Sequence, residues 1–545
     1  RMVKADLSPV VFLLLTLAAI VVAFDAVEAL SPPADADTLA YHFELPRRFA
    51  EAGRFYFVPS ALNGAIPFLT HATYAAVLGL SGADSTLALT GWSFVSGWAV
   101  GLLLFTTARR WLSVPQALAL ALVYQTMPAV VFGAGSGQVE ARMTLFALVA
   151  VAALIADHKG QRLGSAALLG LAVGFMAATK YTGLLFMVAA GLALLACRGR
   201  WLARGAVYSI VALAAGAQWY GWIYAHTGDP VFPMLYSLFG VSDPMLWPAD
   251  HNRTFVGAIA ARGEIIDGIV DALIFPFLAT LTPPPDIESG RTGFGPFPLL
   301  ILPLALWGAW QARDRVLASS LWPLTVLVIA FYFLWVNFGG VPKVRHMLPL
   351  VVPMLLFLGV SAAKAGPSTR WAWTAALTLS LLVQLAGHSL FSKAYIGHVA
   401  SGEQNDIFLE RVLSGYGASR VINAMPEVKR VLLYNERQLA YYIKAPTFEA
   451  HPLRQALVDT RRGAILPTRF FAQLQTQEIS HVLVMLRENP EPKTIESAIA
   501  DLEGRGCLVR EKEIPFRRLT SRTLQTKRTG GEPLVLWRVS AATCH

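Results

Sequence analysis

Eleven apolar stretches, each long enough to cross about 30 Å of hydrocarbon as a helix, recur along this chain and then stop. They cover 8–30, 85–107, 114–132, 139–156, 163–179, 181–197, 205–225, 296–312, 318–337, 343–362 and 371–391. No other feature constrains the fold as strongly, because a backbone inside lipid must satisfy its own N–H and C=O groups and therefore coils into helices. Composition agrees: the 545 residues are 55% hydrophobic and 15% charged, with a mean hydropathy of +0.51, outside the usual range of soluble domains. The expected fold is a polytopic α-helical membrane protein with about eleven transmembrane helices. The first run is long and has no clear small-x-small cleavage site before Pro32 and Pro33, so it is expected to be a retained span.

The Lys/Arg bias of short loops sets the orientation. With Arg1 and Lys4 inside, alternate connections carry Arg109/Arg110, Lys159/Arg162, Arg198/Arg200/Arg204, Arg313/Arg315 and Lys364/Arg370 on the cytoplasmic side. The formal charge of +10 is mostly this bias. No basic stripe interleaved with aromatics offers a nucleic-acid surface.

Four outer segments are too polar or too interrupted to span: 31–84, 133–140, 226–295 and 338–346. Two of them contain amphipathic pieces, "TLAYHFELPRRFAEAGRF" and "RTFVGAIAARGEIIDGIVDALI", expected to be helices lying along the membrane interface. Beyond residue 395 the pattern changes. "VKRVLLYN", "HVLVML", "CLVREKEI" and "LVLWRVS" read as strands, and "TIESAIADLEGRG" as a helix with a Gly stop. The domains expected are thus a membrane domain over 1–395 and an outer α/β domain over 396–545. Cys507 and Cys544 fall in that outer domain, where an oxidising compartment permits a bridge, although two free thiols suit the sequence equally well. Cys197 falls at a cytoplasmic helix end.

Ionisable residues collect at one end of the bundle. Asp35, Asp37, Glu140, Arg142, Lys180, Asp229, Lys343, Arg345 and His346 all lie at outer span ends or in the outer loops. In "GAGSGQVEAR" small residues let the backbone approach a ligand closely, and Glu140 starts a helix, where its charge suits the dipole. Lys180 in "ATKYTG" sits at the outer turn of a tight hairpin, facing an anion or simply snorkelling. Two cationic and two acidic patches on one face suit a substrate that carries a phosphate and a hydroxyl to be deprotonated. The sequence has no phosphate-binding G-x-x-x-x-G-K-[ST] loop, no dinucleotide fingerprint and no zinc spacing. Asp35, Asp37 and Glu140 are the one set that could hold a hard divalent ion such as Mg²⁺ or Mn²⁺.

The order "DADTLAYHFELPRR", "GQVEARMTLFALVAVAAL", "GLAVGFMAATKYTGLL", "TGDPVFPMLYSLFG" and "VRHMLPLVVPMLL" resembles bacterial integral-membrane glycosyltransferases of the GT-C superfamily, in particular the protein O-mannosyltransferase and lipid A aminoarabinose transferase group. That resemblance implies an inverting transfer of a sugar from a polyprenyl-phosphate donor to a hydroxyl on a lipid, glycan or protein acceptor. It places the reaction on the extracytoplasmic face of a bacterial inner membrane. Matched residue by residue, it implies Asp37 as catalytic aspartate with Asp35 beside it, and Lys180, Arg345 and His346 at the donor phosphate. Glu140, where relatives often have Asp, is assigned to the substrate, as are Tyr41, His42, Tyr181 and Asp229. The competing reading is a transporter or lipid flippase without glycosyl transfer, but such proteins usually place ionisable groups near the midplane and repeat their halves, and neither trait is found here.

Overall fold

The computed structural model describes residues 8–60, 62–197, 199–263, 266, 268–281, 293–317, 319–339, 343–485, 491–518, 529–530, 532–542 and 544–545. Each of the eleven apolar runs carries helix, from Pro9–Ala29 through Arg370–Ser401. Among the described residues, five helices are long and apolar enough to cross a membrane on length and composition: Pro9–Ala29, Thr86–Ala108, Leu321–Phe338, Val344–Ala363 and Pro367–Ser401. Shorter apolar helices such as Leu163–Thr179 and Thr182–Ala196 pack among them. Small residues make that packing close: a Cβ added to Gly174 would lie 2.6 Å from the carbonyl oxygen of Ala212 in helix Trp201–Thr227, the backbone approach that membrane helices use in place of hydrophobic contrast.

The expected single span over 114–132 is broken. Helix Val114–Gln125 ends, and Pro128–Ala134 starts afresh, because Pro128 disfavours helical backbone in the residue before it and Met127 is extended at φ −61°, ψ 131°. The two outer amphipathic pieces fare differently. The first makes a wide turn over Thr38–His42 and then helix Glu44–Ala52, closed by Gly53 at φ 64°. It is buried: Leu39, Phe43, Leu45 and Phe49 are all 3% exposed or less. The second divides into Ala249–Gly263 and Ile269–Leu281, residues 264–265 and 267 lying outside those described. Helix Ile269–Leu281 is apolar nearly all round and lies on the outside of the bundle: Phe275 is buried against Trp335 at 5.3 Å between rings, whereas Ile269, Val270, Leu273 and Leu281 are exposed.

The C-terminal region is α/β, as expected. Its sheet contains β1 (Val431–Leu433), β2 (Thr447–Glu449), β3 (His481–Met485), β4 (Leu508–Ile514) and β5 (Leu534–Val539), in the order β2-β1-β3-β5-β4. β1 runs parallel to β2 and β3, while β5 is antiparallel to β3 and β4. Strand alternation divides the apolar residues between two cores. Val431 and Leu433 join a cluster with Phe43, Tyr74, Phe391 and Tyr441 of the membrane-proximal elements; Leu432 faces the other way, towards Phe470 and Ile499. The sheet is therefore seated on the outer end of the bundle by a shared core. Helix Arg370–Ser401 runs straight through the boundary expected at 395, and Cys507 is bridged to Cys544.

Candidate active site

The first outer loop brings its two aspartates into opposite environments. Asp35 Oδ2 accepts from the Thr38 amide at 2.9 Å, the Thr38 hydroxyl at 2.6 Å and the Gln138 side-chain amide at 2.7 Å. The Thr38 hydroxyl in turn accepts from the Gly137 amide at 3.0 Å. Asp35 thus ties the first loop to the second through these hydrogen bonds. A Cβ at Gly137 would meet the Phe43 ring at 2.5 Å, so the close backbone approach read from "GAGSGQ" is made to the first loop and not to a ligand.

Asp37 sits between two guanidinium groups from distant parts of the chain. Arg345 Nη2 reaches Oδ2 at 2.5 Å and Arg437 Nη2 reaches Oδ1 at 2.5 Å. Burial by itself would raise the Asp37 carboxyl, but Arg437 and Arg345, with Arg454 and Lys343 behind them, hold it well below the usual carboxylate range. Arg437 belongs to the turn that follows β1, and Glu449 closes β2. Arg437 Nη1 stands 4.0 Å and Arg454 Nη1 3.5 Å from Glu449 Oε1. Arg454 also lies over the Tyr41 ring, 6.0 Å from its centroid.

Glu140 begins helix Glu140–Ala156 and is buried. Its Oε1 accepts from Lys180 Nζ at 2.6 Å, and His346 Nε2 lies 3.6 Å away. Lys180 is the extended residue between helices Leu163–Thr179 and Thr182–Ala196, the hairpin turn expected. His42 lies beside Tyr41 with ring centroids 4.0 Å apart, and its Nδ1 meets Nε2 of His71 at 3.0 Å. Burial lowers both imidazoles first; His71 and then Lys180 lower His42 further, and Lys180 helps bring His71 down to about 3. Asp37 and Glu140 both act electrostatically on His42 and Tyr41, so the two carboxylate sites share one neighbourhood.

Three expected members do not join it. The Asp229 carboxylate accepts from the Val231 amide at 2.8 Å and the Leu235 amide at 3.0 Å, stapling its own loop. The Tyr181 hydroxyl donates to the Phe232 carbonyl at 3.0 Å, bracing the same loop. Arg142 lies in the bundle, with Nη1 on the Gln138 carbonyl at 2.9 Å and Nε on Ser96 at 2.9 Å. Asp35, Asp37 and Glu140, the set expected for a divalent ion, are each held by different partners, and among the described residues no three His, Cys, Asp or Glu side chains gather to hold an ion.

Sequence reasoning missed Arg437, Glu449, Arg454 and His71. A signal for the first three was present. They follow the carboxyl ends of β1 and β2, and in parallel α/β sheets that is where ligands are met.

The fold, a helical bundle with an α/β domain seated on its outer end, is similar to that of solved structures of membrane glycosyltransferases. Residues 66–222 match the family described as dolichyl-phosphate-mannose-protein mannosyltransferase. The chain is similar to ArnT from Cupriavidus metallidurans bound to undecaprenyl phosphate, with a TM-score of 0.59 and 14% identity over 98% of this chain and 99% of that one. The apo state of the same protein gives 0.58 and 15%, covering 98% of each chain. An Archaeoglobus fulgidus oligosaccharyltransferase, tethered to an acceptor peptide containing an NVT sequon, gives 0.52 and 12% over 87% of this chain and 69% of that one. No curated protein sequence matches.

Proposed function

We propose that the chain is an inverting glycosyltransferase that moves a sugar from a polyprenyl-phosphate donor to a hydroxyl acceptor on the extracytoplasmic face of a bacterial inner membrane. The observation that carries this reading is Asp37, a buried carboxylate flanked by cations at the outer end of an apolar bundle. Asp37 takes the proton of the acceptor hydroxyl. The oxygen then bonds to the anomeric carbon as the bond from that carbon to the phosphate oxygen breaks. The electron pair leaves with the phosphate, and Arg345, Lys180 and His346 face the charge that grows there. Polyprenyl phosphate is a good leaving group, so no covalent enzyme intermediate is needed.

A place for the lipid tail supports the donor class. An open groove with about 1680 Å³ of empty space runs between helices Ile269–Leu281, Leu321–Phe338 and Leu348–Ala363, lined by residues such as Leu273, Val328, Phe333 and Met354. Met347 also lines it, two residues from Arg345, so a chain lying there brings its phosphate to the cationic end. ArnT, of similar fold, is bound to undecaprenyl phosphate. The Cys507–Cys544 bridge suits an oxidising, outer compartment.

The test is mass spectrometry of lipid and glycan fractions from cells with and without the active protein. One sugar increment should be missing without it and with Asp37→Asn, while that variant still folds. An active Asp37→Asn protein rejects the assignment of the base, and substrate accumulation in vesicles without a covalent product rejects the reaction.

A further inference from the structure

We propose that Arg437, carried by the C-terminal domain, is a further cation for the donor phosphate, and that it serves there by leaving Asp37, so that the arriving donor frees the base. This rests on the glycosyltransferase reading above. The resting arrangement raises the problem: Arg345 and Arg437 each hold one oxygen of Asp37 at 2.5 Å, and a carboxylate held by two guanidinium groups is a poor proton acceptor. One of them must let go before Asp37 can take a proton from a hydroxyl.

Arg437 is placed to be the one that moves. Its Nη2 is committed to Asp37, but Nη1 lies 4.0 Å from Glu449 Oε1, and neither Nη1 nor that oxygen has a hydrogen-bond partner. Nη1 of Arg454, 3.5 Å from the same oxygen, also has none. Buried polar atoms left in this state are uncommon in settled structure and mark an arrangement completed by something else. Charge points to what completes it. Arg345, Arg437 and Arg454 face Asp37 and Glu449, an excess of positive charge that suits an anion.

A polyprenyl-phosphate sugar brings one negative charge as a phosphodiester. When the sugar leaves, the proton of the acceptor passes to Asp37 and the phosphate, now a monoester, gains a second. Arginine matches phosphate in a fork geometry that a single carboxylate oxygen does not exploit. The phosphate therefore competes with Asp37 for Arg437, and Glu449 remains within reach to orient the displaced side chain. The C-terminal domain thereby contributes a group to the reaction as well as covering it.

Binding of undecaprenyl phosphate to the full-length protein in nanodiscs tests this without knowledge of the sugar. Arg437→Gln should weaken binding about ten- to a hundredfold, as loss of a charge-assisted bond does, and Arg437→Lys should recover most of it. Asp37→Asn should tighten binding, and that gain should shrink in the double variant with Arg437→Gln, a coupling that a residue merely tethering the domain does not produce. Equal affinity of wild type and Arg437→Gln overturns the proposal. So does an Asp37→Asn gain that persists in full without Arg437. Should Arg437→Gln not fold, hydrogen exchange of residues 437–442 in the wild type decides: it should change on adding undecaprenyl phosphate, and an unchanged rate overturns the proposal. A wild type that binds no undecaprenyl phosphate rejects the donor reading itself.

Discussion

Asp37 and Glu140 are both buried carboxylates matched by cations at the outer end of the bundle, yet they are built from different parts. Glu140 meets Lys180 and His346, all within the membrane domain, and only one of its oxygens is engaged by the lysine. Asp37 meets Arg345 and Arg437, 308 and 400 residues away in sequence, one from the bundle and one from the sheet domain. The difference separates a local pair that shapes the bundle from a junction at which three parts of the chain meet over one side chain. A junction of that kind is where chemistry can be made to depend on the whole assembly.

Activity should separate the two carboxylates most. Asp37→Asn should lower sugar transfer by about a hundred- to ten-thousandfold, the range for loss of a general base, with a thermal melting curve close to wild type. Glu140→Gln should lower it far less if Glu140 only positions Lys180 at the phosphate, and its loss should fall chiefly on donor affinity. Equal losses in kcat for the two variants would erase the distinction between them.

Stability should separate them next. Lys180→Met leaves Glu140 charged and buried, a change that costs about 3–5 kcal/mol in a fully buried pair. The Lys180 side chain is 22% exposed, so a loss of about 2 kcal/mol is expected here, discounted for solvent screening. Thermal unfolding in detergent measures it. The double variant with Glu140→Gln should recover part of the loss, because the orphaned charge is gone.

What is legible in the sequence follows the same division. Bundle helices were legible because apolar runs are local signals, and Lys180 at a hairpin turn was legible because two short runs flanked it. The strands β1, β3, β4 and β5 showed themselves through branched apolar residues in short stretches. Other features lay in tertiary placement. The amphipathic piece at residues 38–55 carries the periodicity of an interfacial helix, but Arg47 and Arg48 fold back on Glu44 and donate to the carbonyls of Ile443 and Thr447, so it is sandwiched under the sheet. Topology gathered Asp229 and Arg142 to the site, and hydrogen bonding to their own surroundings withdrew them. Nothing in the spacing of a carboxylate tells whether backbone amides or distant cations will meet it. Arg437 had only its position after a strand to suggest it.

Acid separates the two kinds of carboxylate partner more gently. Asp37 in the folded protein lies well below its unfolded value of about 3.9, so its pairs add stability that is fully present above that value and lost only as pH falls through the lower, folded one. The junction between bundle and sheet domain should therefore survive a titration from pH 7 to about pH 4, as followed by proteolysis of residues 437–442. Asp37→Asn removes this anchor and should raise cleavage at every pH of the same range. Cleavage that rises in the wild type well above pH 4 would mean that Asp37 is not held by both arginines.

The smallest effect expected is at Asp229, which marks the boundary of the site. Its two oxygens accept from two backbone amides, whereas an asparagine offers one acceptor in the same place and leaves one amide unmet. Asp229→Asn should cost about 1 kcal/mol of stability and leave undecaprenyl phosphate binding unchanged. Burial first, against the pull of those two amides, raises the Asp229 carboxyl above its ordinary value, so removing the charge also removes a desolvation cost and keeps the net effect small. A variant with weakened donor binding and intact stability would bring Asp229 back among the substrate residues, and the contrast between locally satisfied and distantly matched carboxylates would then fail at this position.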